Sequence, residues 1–362
     1  MQALCKEFES VHLTTILIKY RMTLRLNKKD LTSMVAQLQQ QRILVLGDLM
    51  LDEFIWGNVN RISPEAPVPV VQVTSESAYP GGAANVARNL ADFGARPILG
   101  GIIGQDANGD KILNRLETSG ISSDAIISIP NYSTIVKTRI IAKHQQVVRV
   151  DREKKHKTTP QEIDDLLCKL WDILPTIDAI IFEDYGKGFI TQPLVDNIIQ
   201  LAANHMKIVT VDPNPNNPLD WAGATMVKPN RKEAFAAVGL PFDEEEHDIR
   251  ELGDVLLEKW NVHSVLITLG EQGMILFDPP DPPYHTPTRA MEVFDVSGAG
   301  DTVIAFYTAA IAAGLRGEIA AEIANHAAGV VVGKLGTATL NPDELIKSFL
   351  GQQPSGPLAG IR

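Results

Sequence analysis

The stretch Ile43-Leu-Val-Leu-Gly47 indicates the fold of this chain, because it is a short apolar run that ends at a glycine. Such runs are typical of strands that are buried on both faces of a parallel sheet. Similar runs recur along the chain, over residues 98–103, 179–182, 208–211, 226–228 and 265–268. Together these runs predict a sheet of mainly parallel strands.

Patterns typical of helices separate these runs, over residues 83–93, 108–119, 162–174, 193–205 and 249–260. Strands that alternate with helices predict a doubly wound α/β fold, in which helices cover both faces of the sheet. In such folds, ligands bind at the carboxyl ends of the strands. The functional residues are therefore expected directly after the apolar runs.

Two segments, at about 53–73 and 135–151, break this alternation of strand and helix. In the second segment apolar residues alternate with charged ones such as Lys137 and Arg139. This is the pattern of half-buried antiparallel strands. We therefore expect a small projecting β-sheet that acts as a lid or as a dimer contact.

The periodic pattern predicts one α/β domain over residues 41–348. The pattern before it is weak, so residues 1–40 are expected to form an N-terminal extension with a polar helix at about 30–41. Residues 349–362 are rich in Gly and Pro and are expected to form a flexible tail.

The composition disfavours several classes of protein. With 33 basic and 44 acidic residues the formal charge is −11, which is unsuited to general binding of nucleic acid or anionic membranes. Two cysteines form neither a disulfide framework nor a zinc pattern. The fairly apolar segment 11–26 is too short and too charged to span a bilayer. We expect a cytoplasmic protein.

The segment Asp295-Val-Ser-Gly-Ala-Gly-Asp-Thr302 precedes an apolar helix. Its small residues, Gly298, Ala299 and Gly300, would let an anion approach the free N–H groups at the helix start. Asp301 would be well placed to take a proton from an attacking hydroxyl. The alternative is that Asp301 only caps the helix.

Two motifs near the start of the domain suit a polyol. In Pro80-Gly-Gly-Ala-Ala-Asn85 the glycines permit close approach and the amide can donate and accept. In Gly47-Asp-Leu-Met-Leu-Asp52 the carboxylates Asp48 and Asp52 can accept from vicinal hydroxyls or bind a metal. The alternatives are a turn before a helix and a capped turn.

Three further motifs follow strands. Asn230 and Glu233 have the spacing of a capping box, or lie near nucleotide phosphates and Mg²⁺, with the ion reached through water. Thr268-Leu-Gly-Glu-Gln-Gly273 is either a hairpin turn or a nucleotide contact. In the third motif, Asp184 is a candidate Mg²⁺ ligand and Lys187 a candidate phosphate contact, unless Lys187 is only a solvated charge.

These motifs, with Gly81-Gly82 and Asn85 near the start and residues 295–302 near the end, resemble those of the ribokinase-type (PfkB) carbohydrate kinases. The resemblance covers about residues 42–345. Residues 47–52, 61–70, 80–87 and 327–337 further resemble kinases of D-glycero-β-D-manno-heptose 7-phosphate, which act at the anomeric oxygen in lipopolysaccharide synthesis. Walker A and dinucleotide-binding Rossmann patterns are absent from the sequence.

The resemblance implies roles for individual residues. Asp301 would be the base, with the N–H groups of Gly298, Ala299 and Gly300 as an anion hole. ATP would be lined by Asn230, Glu233, Thr268, Gly270, Gly273 and Asn325. The sugar would be held by Asp48, Asp52, Gly81, Gly82 and Asn85. A monovalent cation such as K⁺ is expected near Asp295.

The substrate's phosphate needs cations, for which the candidates are Lys187, Arg139, Lys137 and Arg61. Two residues depart from the resemblance: Ala84 replaces a common glycine, and Asn214 replaces an expected lysine, which weakens a phosphate contact at 212–214. We expect a homodimer through the lid, and a separate adenylyltransferase, because the chain ends soon after the kinase region.

Three alternatives remain open at this point. The chain could be another kinase of the family, acting on ribose, fructose 6-phosphate or a nucleoside. It could be an inactive sugar- or nucleotide-binding regulator, which the presence of Asp301 and its loop disfavours. It could be a dinucleotide-dependent oxidoreductase, which the missing fingerprint disfavours.

Overall fold

The computed structural model describes residues 28–142, 145–240, 249–290, 293–334 and 336–351. The strands are β1 (Arg42–Gly47), β2 (Leu49–Ile62), β3 (Pro69–Gly82), β4 (Arg96–Gly104), β5 (Ser122–Ile129), β6 (Ile135–Ala142), β7 (Gln145–Arg152), β8 (Ala179–Glu183), β9 (Ile208–Asp212), β10 (Met226–Val227), β11 (Ser264–Thr268), β12 (Met274–Phe277) and β13 (Tyr284–Thr286).

The helices are α1 (Lys28–Gln40), α2 (Ala83–Phe93), α3 (Ala107–Thr118), α4 (Pro160–Trp171), α5 (Gln192–Asn204), α6 (Arg231–Val238), α7 (Ile249–Trp260), α8 (Ala299–Ala312), α9 (Gly317–Val331) and α10 (Pro342–Phe349). Every predicted helix in the α/β region is present within a few residues of its expected bounds. The Gly94 that follows α2 has the left-handed backbone expected of a helix C-terminus.

The main sheet has the strand order β13-β12-β11-β10-β9-β8-β1-β4-β5. Neighbouring strands are parallel except at one end of the sheet, where the pairs β11–β12 and β12–β13 are antiparallel. Side chains of β1 alternate between two apolar cores: Ile43 and Val45 join one, and Leu44 and Leu46 join the other. The predicted doubly wound α/β fold, with a sheet buried on both faces, is confirmed.

The N-terminal helix α1 is more than a polar extension. Its residues Leu31, Met34, Val35 and Leu38 are buried and belong to the same apolar core as α2 and α8. Residues 1–27 and 352–362, most of the expected extension and tail, lie outside the described residues.

A second, separate sheet has the order β3-β2-β6-β7 and is the small sheet that the sequence predicted, which we call the lid. Its strands are longer than expected, since β2 begins at Leu49 and β3 continues to Gly82. The prediction of antiparallel strands holds for β2–β3 and β6–β7, but β2 and β6 are parallel. Both strands leave the same edge of the main sheet, which alternation along the sequence cannot reveal.

None of the described helices has the length and apolarity needed to cross a lipid bilayer.

Candidate functional site

Several polar side chains converge at the carboxyl edge of the main sheet. Gly47 of β1, Glu183 of β8 and Asp212 of β9 occupy neighbouring register positions in adjacent strands. Asp48 follows β1 directly, and Lys228 follows β10. Because these strands are parallel, their ends form one surface beneath the start of α8, which we call the floor of the site.

Asp301 is held above this floor by two hydrogen bonds. The Asn85 amide donates to its Oδ2 atom at 2.7 Å, and the Tyr185 hydroxyl donates to its Oδ1 atom at 3.1 Å. Burial raises the pKa of Asp301, which is 7% exposed, while the two hydrogen bonds oppose that rise. Each oxygen of this carboxylate therefore has a defined donor and direction.

The segment before Asp301 has the geometry of an anion-binding helix start. Gly298 has φ 79° and precedes α8, and no described side chain caps this helix. A Cβ atom at Gly298 would lie 2.9 Å from the Asn85 amide nitrogen, and one at Gly300 would lie 3.4 Å from the Lys228 ammonium. Small residues at this loop thus bring the α8 N-terminus close to both side chains.

Lys228 is a floor residue to which the sequence analysis assigned no role. Lys228 is 2% exposed, and its ammonium lies 2.7 Å from Asp212 Oδ2. Burial favours the neutral amine, but Asp212 and Glu183 outweigh it and raise the pKa of Lys228. A positive charge is therefore fixed beside the α8 N-terminus. The available signal was a lysine directly after a buried strand.

Glu183 is a further ionisable residue of the floor. It is buried, and its Oε2 atom has no hydrogen-bond partner among the described residues. Burial and the Asp212 and Asp301 carboxylates raise its pKa well above the usual range. An unsatisfied buried carboxyl oxygen at this edge can serve a cation or a bound water.

The loop after β8 is organised by Asp48. Its carboxylate accepts from the main-chain N–H groups of Tyr185 at 3.0 Å, Lys187 at 2.9 Å and Phe189 at 3.2 Å. Asp48 thereby positions Tyr185, which reaches Asp301 and whose role the sequence analysis did not predict. The motif around Asp184 contained Tyr185, but nothing in its pattern indicated the distant carboxylate.

The two glycines of the predicted sugar motif, Gly81 and Gly82, are the last residues of the lid strand β3. A Cβ at Gly81 would overlap Asp52 Oδ2, and one at Gly82, with φ 63°, would overlap the Asp48 carbonyl. Asp52 is paired with Arg139 at 2.5 Å across β2 and β6. Gly81, Gly82, Asp52 and Arg139 are therefore brought together.

The predicted nucleotide residues form a second group. Asn230 and Glu233 make a full capping box on α6, with reciprocal bonds of 3.0 and 2.7 Å. Asn230 also pairs with Thr268 in an isolated β-bridge. The segment from Thr268 to Gly273 is the hairpin between β11 and β12, and both of its glycines have positive φ. These residues share one end of the sheet.

Two other predicted residues, Asn325 and Asp295, form hydrogen bonds with protein groups through their side chains. The Asn325 amide donates to Thr286 Oγ1 at 2.8 Å and to the Pro287 carbonyl at 2.7 Å. Asp295 accepts from the Ser297 N–H at 2.9 Å. The first contacts join α9 to the segment at residues 286–287, and the last lies within the loop before α8.

Asp184 is likewise engaged. Its two carboxylate oxygens accept from the Gly186 N–H at 2.7 Å and from the Asn217 amide at 2.8 Å. Burial raises its pKa to about 7 despite these bonds.

Comparison with known proteins places this geometry in context. The profile described as pfkB family carbohydrate kinase matches residues 40–344. The bifunctional protein HldE of Desulfatibacillum aliphaticivorans is 39% identical over 313 residues, covering 86% of this chain and 64% of that protein. The HldE of Magnetococcus marinus is 43% identical, with coverage of 86% and 64%. The chain thus spans just under two thirds of these relatives' length.

Solved structures share the fold at low sequence identity. Ribokinase of Arabidopsis thaliana, complexed with ribose and ATP, matches with a TM-score of 0.66 and 18% identity, covering 86% of this chain and 99% of that one. Phosphofructokinase-2 of Escherichia coli, in complex with potassium, matches with a TM-score of 0.69 and 18% identity, covering 86% and 98%.

Proposed function

Because the chain belongs to the pfkB family of carbohydrate kinases, we propose that it phosphorylates D-glycero-β-D-manno-heptose 7-phosphate at the anomeric oxygen, using ATP. The product would be the 1,7-bisphosphate, an intermediate for ADP-heptose and the lipopolysaccharide core. The observation that carries the proposal is Asp301, held at both carboxylate oxygens beside the uncapped start of α8. The resemblance of four segments to heptose 7-phosphate kinases, together with the HldE relatives, supports the choice of sugar.

In the proposed reaction, Asp301 accepts the proton of the anomeric hydroxyl as that oxygen attacks the γ-phosphorus. The bond from the γ-phosphorus to the β,γ-bridging oxygen breaks, and ADP leaves. The N–H groups at Gly298–Gly300 and the Lys228 ammonium bind the spreading negative charge of the phosphoryl group. Asn85 and Tyr185 direct the carboxylate of the base toward the hydroxyl.

A catalytically inactive regulator explains this arrangement less well. Burial of Asp301 costs free energy, and its raised pKa strengthens it as a proton acceptor. A simple helix cap would accept from its own helix, whereas Asp301 is bound by Asn85 and Tyr185 from other parts of the chain.

Kinases of this kind use Mg²⁺ with the nucleotide phosphates, and the floor fits such an ion. In the described ranges no three His, Cys, Asp or Glu side chains cluster as a metal site. Mg²⁺ would then take most ligands from phosphates and water, as it commonly does. The unsatisfied Glu183 Oε2 could accept from this hydrated ion, and Glu233 would reach it through water. Bound Mg²⁺ would neutralise phosphate charge.

The remaining expected sites are proposals of the same kind. ATP would lie along Asn230, Thr268 and the hairpin glycines, with Asn325 fixing the neighbouring loop. Asp184 is less suited to Mg²⁺ than Glu183, because both of its oxygens already accept hydrogen bonds. A K⁺ ion near Asp295 would stabilise the loop before α8.

We further propose a homodimer formed through the lid, and a partner activity that adenylylates the bisphosphate. Strand β7 is the edge of the lid sheet and exposes Val147, Val148 and Val150. An exposed edge with apolar side chains is suited to pairing with a second copy. Sedimentation equilibrium tests the dimer, which a concentration-independent monomer mass would refute.

The test of function is a coupled ADP-release assay with a panel of acceptors: heptose 7-phosphate, fructose 6-phosphate, ribose and a nucleoside. We expect the largest kcat/KM for heptose 7-phosphate, and phosphorus NMR of the product should show an anomeric phosphate. A larger kcat/KM for any other acceptor would contradict the proposed substrate while leaving the kinase assignment intact.

A further inference from the structure

The lid and the loop after β8 carry a group of charged residues, several of which form ion pairs with one another. Arg139 pairs with Asp52 at 2.5 Å, and Arg149 binds Asp151 through two bonds of 2.8 and 3.0 Å. Lys187 binds Glu153 at 2.7 Å. Lys137 differs from these residues, because its ammonium has no ion-pair partner among the described residues.

Lys137 is half-buried on β6, next to Asp52 in the register of β2. Its ammonium makes no hydrogen bond or ion pair with any residue in the described ranges. It lies over the Tyr185 ring, 5.9 Å from the ring centroid. Burial and the positive charge of Lys187 lower the pKa of Lys137, and the carboxylates of Asp52, Glu153 and Asp151 only partly oppose this. An ammonium that is half-buried without a paired anion is unfavourable, and a bound anion beside Lys137 would remove that cost.

The position of these lysines relative to the base is defined by Tyr185. Its hydroxyl binds Asp301, and its ring lies under the Lys137 ammonium. The base and Lys137 are therefore both in contact with one phenol, and Lys187 follows Tyr185 by two residues in the same loop. A substrate whose hydroxyl meets Asp301 would extend its far end toward Lys137 and Lys187.

We propose that Lys137 and Lys187 form the subsite for the phosphate monoester at the far end of the sugar. This inference rests on the proposed function and specifies how a sugar phosphate is distinguished from a free sugar. Lys137 supplies an unpaired charge, and Lys187 supplies a second charge through exchange of its partner. The main chain of Lys187 is anchored by Asp48, so the side chain starts from a fixed point.

The other two candidate cations suit this role less well. The Arg139 guanidinium is bound to Asp52 and lies over the Phe54 ring, 5.3 Å from its centroid. It therefore holds the sugar-facing carboxylate in place. Arg61 is exposed near the far end of β2, opposite Val70 of β3.

Glu153 forms an ion pair with the Lys187 ammonium. A carboxylate at 2.7 Å from the ammonium must leave, or share it, when a phosphate dianion arrives. Glu153 follows β7 of the lid, so the exchange couples substrate binding to the position of the lid. Removing the Glu153 charge should consequently favour the phosphate, the opposite effect to removing either lysine.

The experiment compares KM and kcat of Lys137→Met, Lys187→Met and Glu153→Gln with those of the unaltered chain, using heptose 7-phosphate, unphosphorylated heptose and ATP. The lysine variants should raise KM for the sugar phosphate by about 10- to 100-fold, as expected for a lost charge-assisted bond. KM for ATP and the rate with unphosphorylated heptose should stay within about twofold. Glu153→Gln should lower KM for the sugar phosphate severalfold.

Lys154→Met is the matched control, because this neighbouring lysine is exposed and should leave every constant unchanged. The inference is overturned if the lysine variants affect phosphorylated and unphosphorylated sugars equally, or if Glu153→Gln weakens binding as they do. It is also overturned if the chain prefers free sugars throughout the panel. If another sugar phosphate is the true substrate and Lys137→Met loses it selectively, the proposed function fails and the subsite stands.

Discussion

The floor of the site and the lid above it both carry charged residues, but they hold them differently. At the floor and the helix start above it, Asp301 and Lys228 are buried and Asp212 is partly buried, and each has a short bond to a protein partner. On the lid, Lys137 and Arg139 are half-buried on a projecting sheet. We therefore expect charge at the floor to keep its partners and charge on the lid to exchange them more readily.

This difference assigns the two regions separate tasks. Fixed charges in a desolvated site act on a transition state, because they need no reorganisation when charge develops. We propose that charges on the lid act on substrate binding and on closure. Changes to the floor should therefore lower kcat, while changes to the lid should raise KM for the sugar.

Asp301→Asn should have the largest effect. The amide keeps the shape of the carboxylate but cannot accept the proton, so we expect kcat to fall by about 10²–10⁴-fold. Calorimetry should find ATP affinity and the thermal midpoint close to those of the unaltered chain. Turnover near normal with intact ATP binding would remove Asp301 from the chemistry.

Lys228→Met should come next, with a loss of about 10²-fold in kcat, because a fixed charge beside the phosphoryl group is gone. The variant would also leave Asp212 buried without its partner, at a cost of about 3–5 kcal/mol in stability. The double variant Asp212→Asn/Lys228→Met should regain the stability but not the rate. Recovery of both would show that Lys228 is only structural.

Gly81→Ala should mainly affect binding of the sugar. The added Cβ would overlap Asp52 and disturb its pair with Arg139, so KM for the sugar should rise about tenfold while kcat changes less. Gly120→Ala provides the control: its positive φ costs about 1 kcal/mol, but nothing lies within 4 Å, so KM should not change. A change confined to kcat would break the division between lid and floor.

Tyr185→Phe should give the smallest effect, a shift in pH dependence. The Tyr185 hydrogen bond lowers the pKa of Asp301, so its loss should raise that pKa further. A base works when ionised, so activity is lost as pH falls through its pKa, and the acid limb of kcat/KM should move to higher pH. Tyr307→Phe is the control: Tyr307 lies on α8 with Asp301, and its loss should leave the acid limb of kcat/KM unchanged.

Much of the fold could be predicted from the sequence because its signals are local. The run at Ile43 and its repeats indicated buried strands, and Gly94 marked a helix end. The parallel pairing of β2 with β6 was missed, since alternation shows which residues are half-buried but not the direction of the partner strand. The core contribution of α1 was missed although its buried residues Leu31, Met34, Val35 and Leu38 have the spacing of one apolar helix face.

The candidate site divides in the same way. Asp301 and its small-residue loop were singled out from neighbouring residues, and the structure brings Asn85 to them. Lys228 and Tyr185 were missed because their partners are distant along the chain: Tyr185 and Asp301 are 116 residues apart. The likeness to HldE supports the family, and each residue's role remains a prediction for the experiments above.

The sequence by itself determined the class of fold and singled out the segment that we propose for the chemistry, because short apolar runs and small residues before a helix act through local backbone preferences. Only the tertiary structure decided which charges are paired. Asn85 reaches Asp301 across 216 residues, Arg139 reaches Asp52 across 87, and Lys137 is left without an ion-pair partner among the described residues. Pairing depends on distance in space, which the packing of the sheet, the lid and α8 sets.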